Sequence, residues 1–316
     1  MKANIKFILK IFLTLCIAVA ILSVGNKLYS NSSTYQGVSA YKNMPDKIEL
    51  ANFGPSYGKS CFDYSDYKKD NIGCFNFSLS GQELNHDYGL YKTYEDKISD
   101  DATVAIAISY FCFTNDNIAD SPSRYYRILN SEYINGFSAE NWFYANCMPV
   151  YGQGGALTRN ILLSKISVIK ADGKDESAKK ESLKEKLSTD SKDRIIKVTN
   201  QYYIPNEKYI ETNEQLLIKW VNELKERGCT PILVLTPYYT DYANGFSGEQ
   251  FDKCFTQPLN RVIEATGVTY VDFNKEYEYY THETEFFSNC DHVSKEGKAE
   301  FMKLYSEYLK ENNLLK

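Results

Sequence analysis

The sequence predicts an α/β domain with a flavodoxin-like, doubly wound sheet of five parallel strands, preceded by one N-terminal transmembrane helix. Three observations predict it. Short apolar runs alternate with longer amphipathic patterns, which implies strands joined by helical crossovers. One run, residues 102–109, is apolar almost throughout, as in a strand buried on both faces. The chain also begins with an apolar stretch that is long enough to cross a membrane.

Residues 1–25 form the first predicted element, a signal anchor. From Ile5 the apolar stretch runs for about 20 residues, which matches a hydrocarbon core of ~30 Å. Lys2, Lys6 and Lys10 precede its lysine-free part, which starts at Ile11, and only Lys27 follows closely, so the positive-inside rule leaves the N-terminus cytoplasmic and exports the rest. A cleaved signal peptide is the alternative, with residues 23–25 as the cleavage site. The polar residues 26–46 predict a stalk.

Residues 47–316 are predicted to form a single domain. Its predicted strands cover residues 48–53, 74–78, 102–109, 231–236 and 268–273. Its predicted helices cover residues 83–98, 212–227, 249–265 and 295–309. Pro258 predicts a break or kink within the third of these helices. An insertion around residues 111–205 has an aromatic half and a charged half. The charged half predicts a solvated helical insertion, with a lid or a partner-docking arm as the alternative.

Charge and cysteine usage exclude several classes of function. The net charge of −5 and the pI near 5.5 argue against nucleic acid as a partner. Because the three histidines are scattered and no C-x-x-C spacing occurs, neither a metal site nor a cofactor is predicted. Seven cysteines follow the membrane segment, so at least one has no partner within the monomer. Cys61 and Cys74 are near enough in sequence for a bridge in an oxidising exterior.

A serine and a histidine at opposite ends of the domain predict nucleophilic catalysis. Residues 53–58 read Phe-Gly-Pro-Ser-Tyr-Gly and follow the first predicted strand, so the chain breaks sharply into a helix and exposes the Ser56 hydroxyl. His292 precedes the last helix, as a general base for that serine. Acyl transfer is the predicted chemistry. The pentapeptide also fits the nucleophile elbow of α/β-hydrolases, but several strands precede the serine in that fold.

Three segments resemble the first, second and last sequence blocks of SGNH/GDSL hydrolases. They are residues 54–58 (Gly-Pro-Ser-Tyr-Gly), 76–82 (Asn-Phe-Ser-Leu-Ser-Gly-Gln) and 289–292 (Asn-Cys-Asp-His). The closer likeness is to membrane-anchored members of cell-envelope polysaccharide modification, such as the D-alanyl transfer protein of teichoic acid synthesis and O-acetyltransferase-like proteins. The resemblance covers about residues 47–309 and implies the SGNH hydrolase fold.

The resemblance also implies an activity and its partners. It implies an extracellular serine acyl-ester hydrolase or acyltransferase that moves an O-acetyl or D-alanyl group on a cell-surface polysaccharide or teichoic acid-like polymer. A membrane acyltransferase is the implied protein partner. By position, Ser56 is the nucleophile, His292 is the general base, and the backbone N–H groups of Ser56 and Gly81 form an oxyanion hole.

Two departures from the family pattern affect the site. The third block normally supplies an asparagine after the third strand, where Ser109 or Tyr110 would donate instead, or Asn115 from the loop. The last block normally reads Asp-x-x-His, but Asn289 holds the aspartate position and Asp291 is the alternative orienting residue. These departures support a second hypothesis, a catalytically impaired SGNH-like module that binds glycan or scaffolds an acyltransferase complex.

Side chains next to these blocks predict a substrate-binding surface. The predicted substrate-binding residues are Tyr57, Gln82, Tyr110, Tyr238 and Tyr239. The two consecutive tyrosines belong to a Thr-Pro-Tyr-Tyr segment after the fourth strand, which resembles a recurring segment of the envelope-anchored relatives. It lines an acceptor groove with aromatic faces or, alternatively, only forms the turn at the strand end. His86 is predicted to be a surface residue at a helix start.

Overall fold

The computed structural model describes residues 2–30, 37–116, 119–149 and 176–315. Contacts within the chain divide it into two compact units, residues 1–44 with 119–172 and residues 45–118 with 173–316. The second unit contains the sheet and every candidate site residue. The predicted division into anchor, stalk and one domain with an insertion stays a prediction.

A sheet of five parallel strands forms the centre of the second unit. The strands are β1 (Ile48–Phe53), β2 (Cys74–Asn76), β3 (Ile98–Ile108), β4 (Thr230–Leu235) and β5 (Thr269–Asp272). They follow the order β2-β1-β3-β4-β5, and each neighbouring pair is parallel. This flavodoxin-like order confirms the predicted fold class, and it brings the carboxyl ends of the strands to one edge.

Helices and a small hairpin complete the described chain. The helices are α1 (Lys2–Ser30), α2 (Ser56–Cys61), α3 (Ser65–Lys69), α4 (Leu84–Tyr94), α5 (Ala139–Cys147), α6 (Glu176–Tyr202), α7 (Glu207–Glu226), α8 (Thr240–Ala243), α9 (Glu249–Phe251), α10 (Gln257–Thr266), α11 (Phe273–Glu276), α12 (Glu278–His282) and α13 (Lys295–Glu311). The hairpin pairs β6 (Phe287–Asn289) with β7 (His292–Val293) in an antiparallel manner. Strands this short carry no periodicity, so the sequence does not predict them.

Several element boundaries differ from the predicted ones for local reasons. Strand β3 begins at Ile98 rather than at residue 102, because Ile98 pairs with Ile48 at the start of β1. The predicted helix over residues 249–265 is divided by a π-helical turn, Asp252–Thr256. Pro258 lies in the first turn of α10, directly after this π-helical turn, so the irregularity that the sequence predicts lies next to the proline.

The core is built from the sheet and the apolar stripe of α7. Leu217, Trp220, Val221 and Leu224 recur at helical spacing and are fully buried. The indole of Trp220 meets the ring of Phe53 edge-on at 5.2 Å, at the end of β1. Burying each large apolar side chain contributes about 1.5–3 kcal/mol to the free energy of folding, so this packing stabilises the end of the first strand.

The predicted insertion contains one long helix, α6, which covers much of its charged half. Leu187, Ser191 and Val198 on this helix are fully buried, so one of its faces packs into the second unit. The prediction of a solvated helix therefore holds only for its other faces. Residues 150–175, which include the start of the charged half, lie outside the described residues.

The N-terminal helix and the cysteines bear on the cellular location. Residues Ile5–Lys27 of α1 form a 23-residue stretch of mean hydropathy 2.7, long and apolar enough for either a membrane anchor or a signal sequence. All eight cysteines lie in the described residues and are unpaired. The bridge considered between Cys61 and Cys74 is therefore absent. Burial raises the pKa of both thiols to about 12, which keeps them protonated and unreactive.

Candidate active site

Ser56 lies at the turn from β1 into α2, at the carboxyl edge of the sheet. Gly54 permits this turn because it adopts φ +135°, and a Cβ atom there would lie 2.6 Å from the carbonyl oxygen of Ala107 on β3. Gly58 permits α2 to lie close to Ser78, since a Cβ atom added at Gly58 would lie 2.6 Å from Ser78 Oγ. The glycines on both sides of Ser56 thus let α2 lie directly against neighbouring strand ends.

A buried carboxyl group ties the serine turn to the second block. Asp87 Oδ1 accepts hydrogen bonds from the Gly54 N–H at 2.7 Å and from Gln82 Nε2. Gln82 Nε2 also lies 3.2 Å from the Gly54 carbonyl oxygen and 3.1 Å from that of Phe77. Burial raises the pKa of Asp87 to about 8, although the bonds from Gln82 and Gly54 oppose this. Asp87 therefore holds together the two segments that carry the predicted oxyanion donors.

The predicted oxyanion donor Gly81 lies in the turn beside this carboxyl group. The Gln82 N–H donates to the Leu79 carbonyl oxygen at 3.2 Å, and Gly81 has φ +62° at the third position of that turn. A positive φ at this position is typical of a type II turn and favours glycine. The backbone conformation of this turn is therefore sufficient to explain a glycine at position 81, apart from its predicted role in the oxyanion hole.

His292 contacts the serine directly. Its Nε2 atom lies 2.7 Å from Ser56 Oγ, although the two residues are 236 positions apart in sequence. The residue begins β7, and the adjoining hairpin turn directs its imidazole towards the start of α2. Ser56 and His292, the predicted nucleophile and base, are therefore within hydrogen-bonding distance.

The orienting group on the other side of the imidazole is Asp291. Its Oδ1 lies 2.6 Å from His292 Nδ1, whereas Asn289 Oδ1 lies 3.2 Å from the same nitrogen. Adjacent side chains seldom face each other, but here the chain reverses between Asn289 and His292, which pair across the hairpin. Asn289 Oδ1 also accepts the backbone N–H of Asp291 at 3.1 Å and so stabilises this turn.

The second oxygen of the Asp291 carboxylate is also fully engaged. Arg194 Nε on α6 donates to Oδ2 at 2.8 Å, and the Tyr57 hydroxyl donates to the same oxygen at 3.3 Å. Burial acts to raise the pKa of Asp291, but the bond to His292 and the charges of His292 and Arg194 lower it below the ordinary value. The carboxylate therefore stays ionised although it is only 4% exposed.

Ionised Asp291 determines which imidazole nitrogen carries the proton. A carboxylate only accepts hydrogen bonds, so Nδ1 of His292 must donate its proton to Asp291 Oδ1. In the neutral ring Nε2 is then an acceptor, and it accepts the hydroxyl proton of Ser56. This is the tautomer that a general base requires.

The predicted substrate-binding residues are buried in the structure, and their role in binding a substrate stays a prediction. Tyr57, Gln82, Tyr110, Tyr238 and Tyr239 are at most 7% exposed, so none of them offers an open face to a substrate. Their bonds point to structural roles. The Tyr57 hydroxyl belongs to the Asp291 cluster, the Tyr110 hydroxyl donates to the Ala243 carbonyl oxygen at 3.3 Å, and the Tyr239 N–H donates to the carbonyl oxygen of Cys290 at 2.9 Å.

The region of the missing third block is buried at the end of β3. Ser109 is 2% exposed, and its carbonyl oxygen accepts the Cys112 N–H at 3.1 Å. The carbonyl oxygen of Asn115 accepts a hydrogen bond from Asn213 Nδ2 at 2.9 Å, which fixes this loop against α7. The contribution of Ser109 to an oxyanion hole stays a prediction.

Sequence reasoning missed three polar residues that support the site. They are Asp87, Asp190 and Arg194. Asp190 and Arg194 are four residues apart in the charged segment, a spacing that places them on one helix face. Other charged residues with the same spacing surround them, so this pattern does not single them out. His86 is 2% exposed, which corrects its prediction as a surface residue. The described residues contain no cluster of side chains able to hold a metal ion.

Comparison with known proteins finds similarity only among solved structures. No protein-family model matches the sequence, and no curated protein matches it either. A crystal structure of TesA is 12% identical, with a TM-score of 0.41 over 84% of this chain and 99% of that one. A GDSL-like lipase from Bacteroides thetaiotaomicron is 10% identical, with a TM-score of 0.41 over 89% of this chain and 98% of that one.

Proposed function

We propose that this chain is a serine acyl-ester hydrolase or acyltransferase. The observation that supports it is the continuous chain of hydrogen bonds from Ser56 Oγ to His292 at 2.7 Å and from His292 to Asp291 at 2.6 Å. These distances and the ionised, buried carboxylate meet the geometric requirements of a nucleophile, a base and an orienting acid. A helix-start serine without a catalytic role would need neither bond.

The reaction follows from this geometry. Ser56 Oγ attacks the acyl carbonyl carbon while its proton passes to His292 Nε2, and Asp291 stabilises the imidazolium that forms. The tetrahedral intermediate collapses, the ester C–O bond breaks, and Nε2 returns the proton to the leaving alcohol. A second hydroxyl, from water or an acceptor, gives its proton to Nε2 and takes the acyl group; the acyl–Oγ bond breaks and Nε2 returns the proton to Ser56 Oγ. The backbone N–H groups of Ser56 and Gly81 are the proposed oxyanion donors.

The proposed location is the outer face of a membrane, with α1 as a single anchor. The lysines before the apolar stretch favour a cytoplasmic N-terminus and an exported catalytic unit. The proposed substrate is a cell-surface polysaccharide or teichoic acid-like polymer that exchanges an O-acetyl or D-alanyl group, with a membrane acyltransferase as partner. This part of the proposal rests on the resemblance of residues 54–58, 76–82 and 289–292 to envelope-anchored SGNH/GDSL members.

The alternative, an impaired module for glycan binding or scaffolding, loses one of its two supports. It depends on Asn289 in place of the usual aspartate, yet Asp291 provides a carboxylate at 2.6 Å from the imidazole. Its other support is the missing asparagine of the third block, near Ser109. An inactive module has no need to keep a buried, ionised carboxylate, which is costly unless it is paired.

Ester turnover by the full-length chain in detergent micelles tests the proposal. With p-nitrophenyl acetate, Ser56→Ala should lower turnover by a factor on the order of 10⁶, in practice to the background rate, because the nucleophile is lost. Ser60→Ala is the matched control, one turn along α2, where the hydroxyl donates to the Tyr57 carbonyl oxygen at 3.0 Å and lies 4.0 Å from Cys61 Sγ. Equal loss in both variants, or turnover that survives Ser56→Ala, would contradict the proposal.

A further inference from the structure

Two side chains on one face of helix α6 contact the turn of the β6–β7 hairpin, which carries Asp291 and His292. Asp190 Oδ2 accepts the backbone N–H of Cys290 at 3.0 Å, and Arg194 Nε donates to Asp291 Oδ2 at 2.8 Å. The two residues are four positions apart, so they lie one above the other on the helix. They contact consecutive residues of the turn that carries the orienting carboxylate.

Packing fixes the helix in this position. Leu187, Ser191 and Val198, which lie around the two polar residues, are fully buried. Farther along, the ring of Tyr202 stacks on Phe111 with centroids 4.5 Å apart. Towards the other end, Lys180 forms an exposed ion pair with Glu285 at 3.1 Å. Since α6 is anchored along its length, Arg194 approaches Asp291 from a rigid element.

We propose that Arg194 is a positioning residue for the triad and that α6 acts through it on the orientation of His292. The proposal rests on the proposed function, because it assigns a role within the same site. Asp291 differs from an ordinary orienting acid in being adjacent to the histidine that it serves. Because Asp291 is adjacent to His292 in sequence, its carboxylate needs a contact from another part of the chain to keep Oδ1 within hydrogen-bonding distance of His292 Nδ1.

The contacts of the carboxylate show how this restraint works. Arg194 donates a hydrogen bond to Oδ2, so Oδ1 is the oxygen that accepts the Nδ1 proton of His292. The Tyr57 hydroxyl shares Oδ2, and Arg194 Nη2 lies 3.4 Å from that hydroxyl, so the two donors support each other. Burial and the charge of Asp291 raise the pKa of Tyr57, which keeps this hydroxyl protonated as a donor. Without Arg194, Oδ2 keeps only the longer bond from the Tyr57 hydroxyl at 3.3 Å, and the carboxylate rotates away from the ring more easily.

The imidazole proton provides a readout that does not require turnover. An Nδ1 proton held between an imidazole and a carboxylate resonates far downfield and exchanges slowly. The full-length chain with ¹⁵N-labelled histidine has only three histidines, so His292→Gln assigns the resonance. The variants are Arg194→Met, Arg194→Lys and, as a matched loss of one cation from an exposed position of α6, Lys192→Met.

Arg194→Met should abolish the Nδ1 proton resonance and lower kcat by about 10²-fold with little change in KM, since a misplaced catalytic group affects the chemical step. Arg194→Lys, which keeps the charge but loses the planar fork, should fall between Arg194→Met and wild type. Lys192→Met should match the wild type in both measurements. An unchanged resonance and kcat in both Arg194 variants would overturn the proposal. A resonance lost in Arg194→Met, with turnover that does not need Ser56, would keep the positioning role and reject the acyl-transfer chemistry.

Discussion

The two halves of the candidate active site, the serine half around Ser56 and the histidine half around His292, are held in different ways. The serine half is fixed by backbone geometry, because Gly54 and Gly58 allow α2 to lie against the strand ends and Asp87 binds the Gly54 N–H at 2.7 Å. The histidine half lies on a hairpin of very short strands and depends on side chains from α6 for support. The first half is therefore preorganised by the fold itself, and the second by long-range side-chain contacts.

The two buried carboxyl groups show the same contrast. Burial raises the pKa of Asp87 in the serine half to about 8, so this group is largely neutral at neutral pH. In the histidine half, the bonds and charges around Asp291 outweigh its burial and lower its pKa. The difference lies in the partners, since Asp87 accepts from neutral groups and Asp291 from a guanidinium and an imidazole. Only the second environment supports a charge that stabilises an imidazolium.

The largest expected effect tests which residue orients the histidine. Asp291→Asn should lower kcat for ester turnover by about 10⁴-fold, because an amide lacks the charge and favours the wrong tautomer. Asn289→Ala, which removes the other acceptor at 3.2 Å and the bond from the Asp291 N–H, should cost about tenfold, as expected for two neutral hydrogen bonds. The reverse order of effects would show that Asn289 orients His292 and that the hairpin geometry described above is wrong.

A second test compares two glycines and sharpens the claim about the serine half. Gly54→Ala should lower the free energy of unfolding by about 2–4 kcal/mol, because φ is +135° and the new Cβ would meet Ala107 at 2.6 Å. Gly248→Ala has a comparable positive φ of +85° but no atom within 4 Å, so strain alone should cost about 1 kcal/mol. Urea denaturation of both variants measures the difference. Equal losses would mean that close packing does not fix the serine turn.

A third test concerns a dependence of stability on pH that arises from Asp87. Its carboxyl group stays protonated in the folded chain up to a pKa of about 8 but ionises near its ordinary value when unfolded. Its contribution is fully present below the unfolded pKa and is lost as the pH rises, by about 1.4 kcal/mol for each pH unit between about 4 and 8. Asp87→Asn should remove this slope. A wild type that gains stability over Asp87→Asn with rising pH would contradict it.

The serine half could be predicted from the sequence because its determinants are local. The run into Gly54-Pro-Ser specifies a strand, a turn and a helix start within ten residues, and the alternation of strands and helices gives the sheet order. The histidine half could not be predicted to the same degree. Whether Asn289 or Asp291 meets the imidazole depends on the hairpin turn, and the role of Arg194 depends on a contact 97 positions away. The burial of the predicted substrate-binding tyrosines likewise follows from packing that no local pattern encodes.

Covalent labelling of the full-length chain with an alkyl fluorophosphonate tests the central claim most directly, because the reagent reports nucleophilic activation of a serine whatever the natural substrate is. Peptide mass spectrometry locates the adduct, and His292→Ala serves as the comparison. We predict a single adduct on Ser56 that forms quickly in the wild type and is lost in His292→Ala. No adduct on Ser56, or equal labelling with and without His292, would contradict a Ser56–His292–Asp291 catalytic triad.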